Sequence, residues 1–158
     1  MSNTQSMCTS FLSQLMTATH NFGTAPTRGT SAADTFKAAL YVTTATVNAA
    51  TTAYSATNEV SGTGYTAGGI TVTNATAPSS TNSSATAGVG YWTPSANLVY
   101  STVTLSTAFD TVLIYNSSQS NAAVSVHTFG SQTITAGTFT LTMPSNTTSS
   151  ALLRLSTT

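Results

Sequence analysis

Charge is what this sequence has least of. Asp, Glu, Lys and Arg make up 4% of its 158 residues, against about 25% in an ordinary globular chain. They are Arg28, Asp34, Lys37, Glu59, Asp110 and Arg154, and the net charge is zero. Nucleic-acid binding needs several basic side chains to displace counterions from phosphates. Three spread over the chain do not supply them, and an anionic membrane surface is excluded on the same ground. No apolar run reaches the roughly 18 residues that a spanning helix needs. The N-terminus has neither the basic region nor the apolar stretch of a signal peptide. The single cysteine, Cys8, excludes an internal disulfide. It has no basic neighbour in sequence to activate it, so it reads as an unreactive thiol.

Scarcity of titratable groups also argues against catalysis, which needs such groups brought together. Asp34 and Lys37 fall three apart on an expected strand and so on opposite faces. His20 sits at the end of an expected helix, where the dipole favours a cation. His127 falls on a strand, on the face opposite Val124 and Val126. A Ser–His–Asp set could be drawn from Asp110, His127 and any of many serines, but no serine occupies a nucleophile elbow. No catalytic residue is assigned. Two distant histidines and one cysteine match no zinc spacing, and the isolated acids make no calcium loop. No metal and no cofactor are expected. Residues 59–69 (EVSGTGYTAGG) form the one Gly-rich motif. It lacks the spacing, the lysine and the following helix of a phosphate cradle, and reads as a tight connection needing positive φ or close backbone approach.

What the sequence has instead is threonine and serine, over a third of all residues. Aromatic and aliphatic residues interleave with them at strand-like spacing, which sets the chain apart from low-complexity disorder. Threonine is β-branched and its hydroxyl can face water, so it gives a pleated surface polarity without charge. Strands are expected at 34–43, with Phe36, Ala38, Leu40 and Val42 on one side, and at 65–73, 87–93 and 98–106. Val99, Val103 and Leu105 are expected to share a face of the last. Residues 109–115 (FDTVLIY) are nearly all apolar, as a doubly covered central strand would be. Further strands are expected at 122–129, 138–143 and 151–155. Short strands between turn signals, with no alternating helices, predict an all-β fold: an antiparallel β-sandwich or jelly roll with a short N-terminal helix. That helix is expected at about 8–20, from Phe11, Leu12, Leu15 and Met16 at helical spacing, with Phe22 beyond. The division is a helix and arm over 1–30 and one β-sandwich domain over 31–158.

The segments DTFKAALYVTTAT (34–46), TTAYSATNEVSGTGYTAGG (51–69), TVLIYN (111–116) and AAVSVHTFGSQTITAGTFTLTMP (122–144) resemble a family of small virion proteins of tailed bacteriophages. The shared features are a strand ending in ALY, a NEVSGTGYTAGG-like stretch, an LIYN strand and a DFG-like turn before the last strands. Here that turn reads Thr128-Phe129-Gly130, without the acid. The resemblance spans roughly residues 8–155 and transfers no catalytic residue.

It implies a virion structural component, and a near-uncharged chain independently suits permanent burial against neighbours. The leading expectation is a capsid decoration (cement) protein on the exterior of the shell. It would clamp the major capsid protein and copies of itself as a homotrimer, with no nucleic acid and no membrane as partner. Phe11, Leu12, Leu15, Met16 and Phe22 are the expected capsid or subunit contacts. The alternatives are a tail, neck or fibre-attachment component, and a carbohydrate-binding module with Tyr91, Trp92 and Tyr100 as stacking platform.

Overall fold

The structure is a computed structural model that describes residues 3–16, 18–22, 33–73, 76–81 and 88–156, with the backbone alone at 12, 13 and 16. It is an all-β antiparallel sandwich with one short helix. In chain order the elements are β1 (Ser6–Met7), α1 (Thr9–Met16), β2 (Phe36–Val42), β3 (Ile70–Thr71), β4 (Ser79–Ser80), β5 (Val89–Trp92), β6 (Leu98–Asn116), β7 (Ala122–Leu141) and β8 (Leu153–Ser156). One sheet has the order β1-β7-β6-β2-β3, the other β4-β5-β8.

The apolar run FDTVLIY is the middle strand of the larger sheet, as its composition requires. From Thr111 to Asn116 every residue of β6 is buried, with β2 hydrogen-bonded on one side and β7 on the other. Thr111 and Asn116 are the polar members of that run, both at 0% exposure.

The structure departs from the expected strands in length. Segments 98–106 and 109–115 form one strand, β6, and 122–129 and 138–143 form one strand, β7. Thr128-Phe129-Gly130 is therefore not a turn; it lies inside β7. The strands survive their polar middles because the ribbon bends. Their pairing shifts register between Val103 and Leu105, Leu105 and Phe109, and Phe109 and Thr111. Phe129 and Phe139 lie 5.1 Å apart by ring centroid, whereas ten residues of straight strand would span about 33 Å. Phe109 is likewise 5.1 Å from Phe139. The ribbon thus folds over and encloses the core between its own halves, at a bulged corner of the kind sandwiches use.

A second departure follows from Thr102, whose φ is 54°. A left-handed residue inside a strand shifts the inward phase by one position. Leu98 and Tyr100 are buried before it, Val103 and Leu105 after it, and Val99 is left 43% exposed. Val99 therefore does not share the face of Val103 and Leu105. The expected strand at 65–73 shrinks to Ile70–Thr71, because Gly68 and Gly69 turn the chain with φ of 88° and 72°.

The N-terminal segment belongs to the same packed body. β1 extends the large sheet beside Ser125 and Val126 of β7. Asn3 binds the carbonyl of Val42 and the carboxylate of Asp110, and Cys8 and Phe11 lie in the core. The expected division at residue 30 itself lies outside the described residues. α1 ends at Met16 rather than near 20: Ala18 is left-handed at φ 55°, and the N–H groups of Ala18 and Thr19 return to the carbonyls of Leu15 and Gln14. An isolated helix of this length is unstable in water. Burial of Phe11, worth about 1.5–3 kcal/mol, holds it to the sheet.

Candidate functional site

Two places concentrate chemistry: the hydrogen-bond centres built on the acids, and an apolar cleft beneath α1.

Each acid accepts hydrogen bonds from neutral donors of the same chain. Asp34 takes the N–H of Asn21, the amide of Asn116 at 2.7 Å and the amide of Gln119. This ties the segment after α1 and the entry to β2 to the β6–β7 turn. Asp110 takes Asn3 and the hydroxyl of Thr111, which anchors the N-terminal residues on β6. Glu59 takes the phenols of Tyr54 and Tyr65 at 2.6 and 2.7 Å, and the N–H of Gly68 at 2.8 Å. Such charge-assisted bonds are about twice as strong as neutral ones. The carboxylates serve as cross-chain staples.

The Glu59 centre is the Gly-rich motif folded over the long ribbon. Asn58, Gly64, Gly68 and Gly69 all have positive φ. A Cβ on Gly62 or Gly64 would strike the carbonyls of Thr104 and Thr102, and one on Gly69 the carbonyl of Ala38. The motif is thus a close-approach connection, as its glycines predict. Around it stand phenols that each hold a backbone partner. Tyr65 accepts from the N–H of Leu40, Tyr41 donates to Ser55, Tyr100 to Ala38 and Tyr115 to Gly68. Burial raises the pKa of Tyr41, Tyr65 and Tyr100 far above the ordinary phenol value. It pushes Tyr115 up to about 12.

The cleft, about 300 Å³, opens between α1 with the residues after it and the inner face of the small sheet. Phe11, Leu15 and Phe22 form one wall, and Trp92, Leu153 and Leu155 the other. Phe22 stacks on Phe36 at 4.4 Å and meets Trp92 at 4.7 Å. Gly90 faces Leu155 across the β5–β8 pairing, and a Cβ there would meet nothing closer than the Leu155 carbonyl at 3.9 Å. The missing side chain opens the space. His20 also lines it. The amide of Asn116 donates to its Nδ1, so Nε2–H donates to Gln14, at 3.1 and 2.8 Å. Both nitrogens are thus engaged in the neutral form, and burial lowers its pKa, against the opposing pull of Asp34.

No family model, no curated protein and no solved structure matches this chain. A functional reading rests on its own residues.

The expected contact residues divide. Phe11 is 1% exposed and spends its surface inside the chain. Leu15 and Phe22 are half-buried and reach the cleft. The side chains of Leu12 and Met16 lie outside the described residues. Tyr91, Trp92 and Tyr100 do not form one platform. Trp92 is 3% exposed and binds the Thr76 carbonyl. Tyr100, 2% exposed, packs on Tyr65 and Phe139 in a different cluster. Tyr91 alone of the three is only half-buried. His127 binds Ser125 at 2.9 Å, and burial pushes its pKa down to about 4. Among the described residues no group of three His, Cys, Asp or Glu could hold a metal ion, and no helix is long and apolar enough to cross a membrane. Gly90, Leu153 and Leu155 were not singled out from sequence. The legible sign was a glycine at an inward position of a strand, which marks close approach or a gap.

Proposed function

We propose that this chain is a structural subunit of a tailed-bacteriophage virion, a capsid decoration protein on the outer shell. It would bind the major capsid protein and further copies of itself, the trimer being the expected state. The observation that carries this reading is the commitment of the acids. Glu59, Asp34 and Asp110 all accept hydrogen bonds from inside the chain. The exposed residues of the β6–β7 ribbon are mainly Thr, Ser, Gly and Gln. Such a surface offers hydroxyls and apolar area for contact, and little charge for solubility as a free monomer. The phage-family resemblance of residues 34–69 and 111–144 supports the same conclusion. Attachment through neutral contacts depends weakly on ionic strength.

Particles with and without this protein test the proposal. Cement activity predicts that particles lacking it lose DNA at lower temperature and in osmotic shock. Equal resistance would refute the decoration role. Counting copies separates shell from tail: occupancy of every equivalent shell position fits decoration, while a few copies at one vertex fit a neck or fibre-attachment part.

A further inference from the structure

The cleft lies beside a strand edge that no described residue pairs, and the two features together define a docking site. β8 ends the order β4-β5-β8. Among the described residues nothing pairs with its backbone on the side away from β5. Leu153 and Leu155 line the cleft, and their cross-strand partners are Trp92 and Gly90. Arg154 alternates to the opposite face, where its guanidinium donates to the Ser149 carbonyl. Among the described residues, the edge therefore presents N–H and C=O groups next to an apolar gap that no charged side chain lines. Leu155 stays 44% exposed at its rim.

We infer that β8 is a strand-addition edge, which takes an extended, uncharged segment of a partner protein and lays one apolar or aromatic side chain against Leu153 and Leu155 at the rim of the cleft. This rests on the reading of the chain as a subunit of a larger assembly. Strand addition combines main-chain hydrogen bonds with pockets for alternate side chains, and an added strand would lie about 4.8 Å beyond β8. Its inward side chains would then fall against Leu153 and Leu155. A glycan fits less well, since Trp92 presents almost no face to solvent and His20 has no free nitrogen.

Trp92 is the only tryptophan and stands in the cleft, so its emission reads occupancy. The probe is a blocked pentapeptide, threonine-valine-phenylalanine-valine-threonine, titrated into the full chain. A saturable change in Trp92 emission is expected, weakened at least tenfold when alanine replaces the phenylalanine. The same peptide N-methylated along its hydrogen-bonding edge should not bind. Leu155→Asp, which puts a charge at the exposed rim, should abolish binding with the unfolding midpoint kept. If that variant does not fold, the two modified peptides still decide on the native chain. No saturable change, or equal binding of the N-methylated peptide, overturns the inference. Presence of the chain in purified particles is measured separately. Its absence there removes the assembly reading and leaves a positive titration standing, while a negative titration beside particle incorporation removes only the edge.

Discussion

Tyr54 and Tyr65 both donate their phenolic hydrogens to the carboxylate of Glu59, one to each oxygen. Glu59→Ala would leave both phenols and the Gly68 N–H without this partner in a partly buried site. The expected loss is about 3 kcal/mol of unfolding free energy, read as a lower denaturant midpoint at unchanged slope. Unchanged stability would show that water replaces the carboxylate.

Gly69 and Gly130 should respond oppositely to alanine. Gly69 combines φ of 72° with a Cβ position that collides with the Ala38 carbonyl, so Gly69→Ala is expected to cost about 3 kcal/mol or more. Gly130 has nothing within 4 Å of its Cβ position and lies in a strand, and Gly130→Ala should be neutral or slightly stabilising. Thermal unfolding of both variants checks the contrast.

Acid should destabilise the fold through its histidines. The folded pKa of His127, about 4, lies below the unfolded 6.5, so the unfolded state binds more protons between these values. Stability is therefore full above about pH 6.5 and falls as pH drops toward about 4, by about 2–3 kcal/mol. His20 acts in the same direction. Denaturant melts across this range should be shallower in their pH dependence for His127→Gln.

Cys8 should be silent until the chain unfolds. It is 0% exposed, and burial raises its thiol pKa to about 11, so little thiolate forms at neutral pH. A thiol reagent should label it at the rate of global unfolding; fast labelling of the native protein would contradict this.

Much of this architecture was legible in the residues, though unevenly. The run at 109–115 announced the central strand because burial on both faces leaves no room for alternation. Glycines at 62–69 announced close approach because no other residue fits there. The bend of the ribbon was not legible: residues 130–137 look like a polar turn, and only contact between Phe129 and Phe139 shows that the chain continues as strand. The Thr102 bulge hid the phase of 98–106 for a similar reason, since a threonine in the left-handed region carries no sign in the sequence. The roles of the acids were equally hidden. Asp34 meets Asn116 across 82 residues of chain, and spacing cannot forecast such a pairing. The cleft escaped notice because it is made by what Gly90 lacks.

The fold-over of the β6–β7 ribbon also shapes how this molecule reaches its native state. β6 and β7 are one hairpin, joined by a turn whose Ser120 and Asn121 are both left-handed. Pairing can start at Asn116 and Ala122 and zip outward, each step closing only a short loop, a cheap and fast route for a β-protein. The far half, from Leu98 and Leu141 inward, gains its packing only after the corner has closed. Changes near the turn should therefore slow refolding, and changes near Tyr100 and Phe139 should speed unfolding. The last part to fold would be the half that lies over the phenols of the Glu59 centre, which places the closing of that lid late on the path.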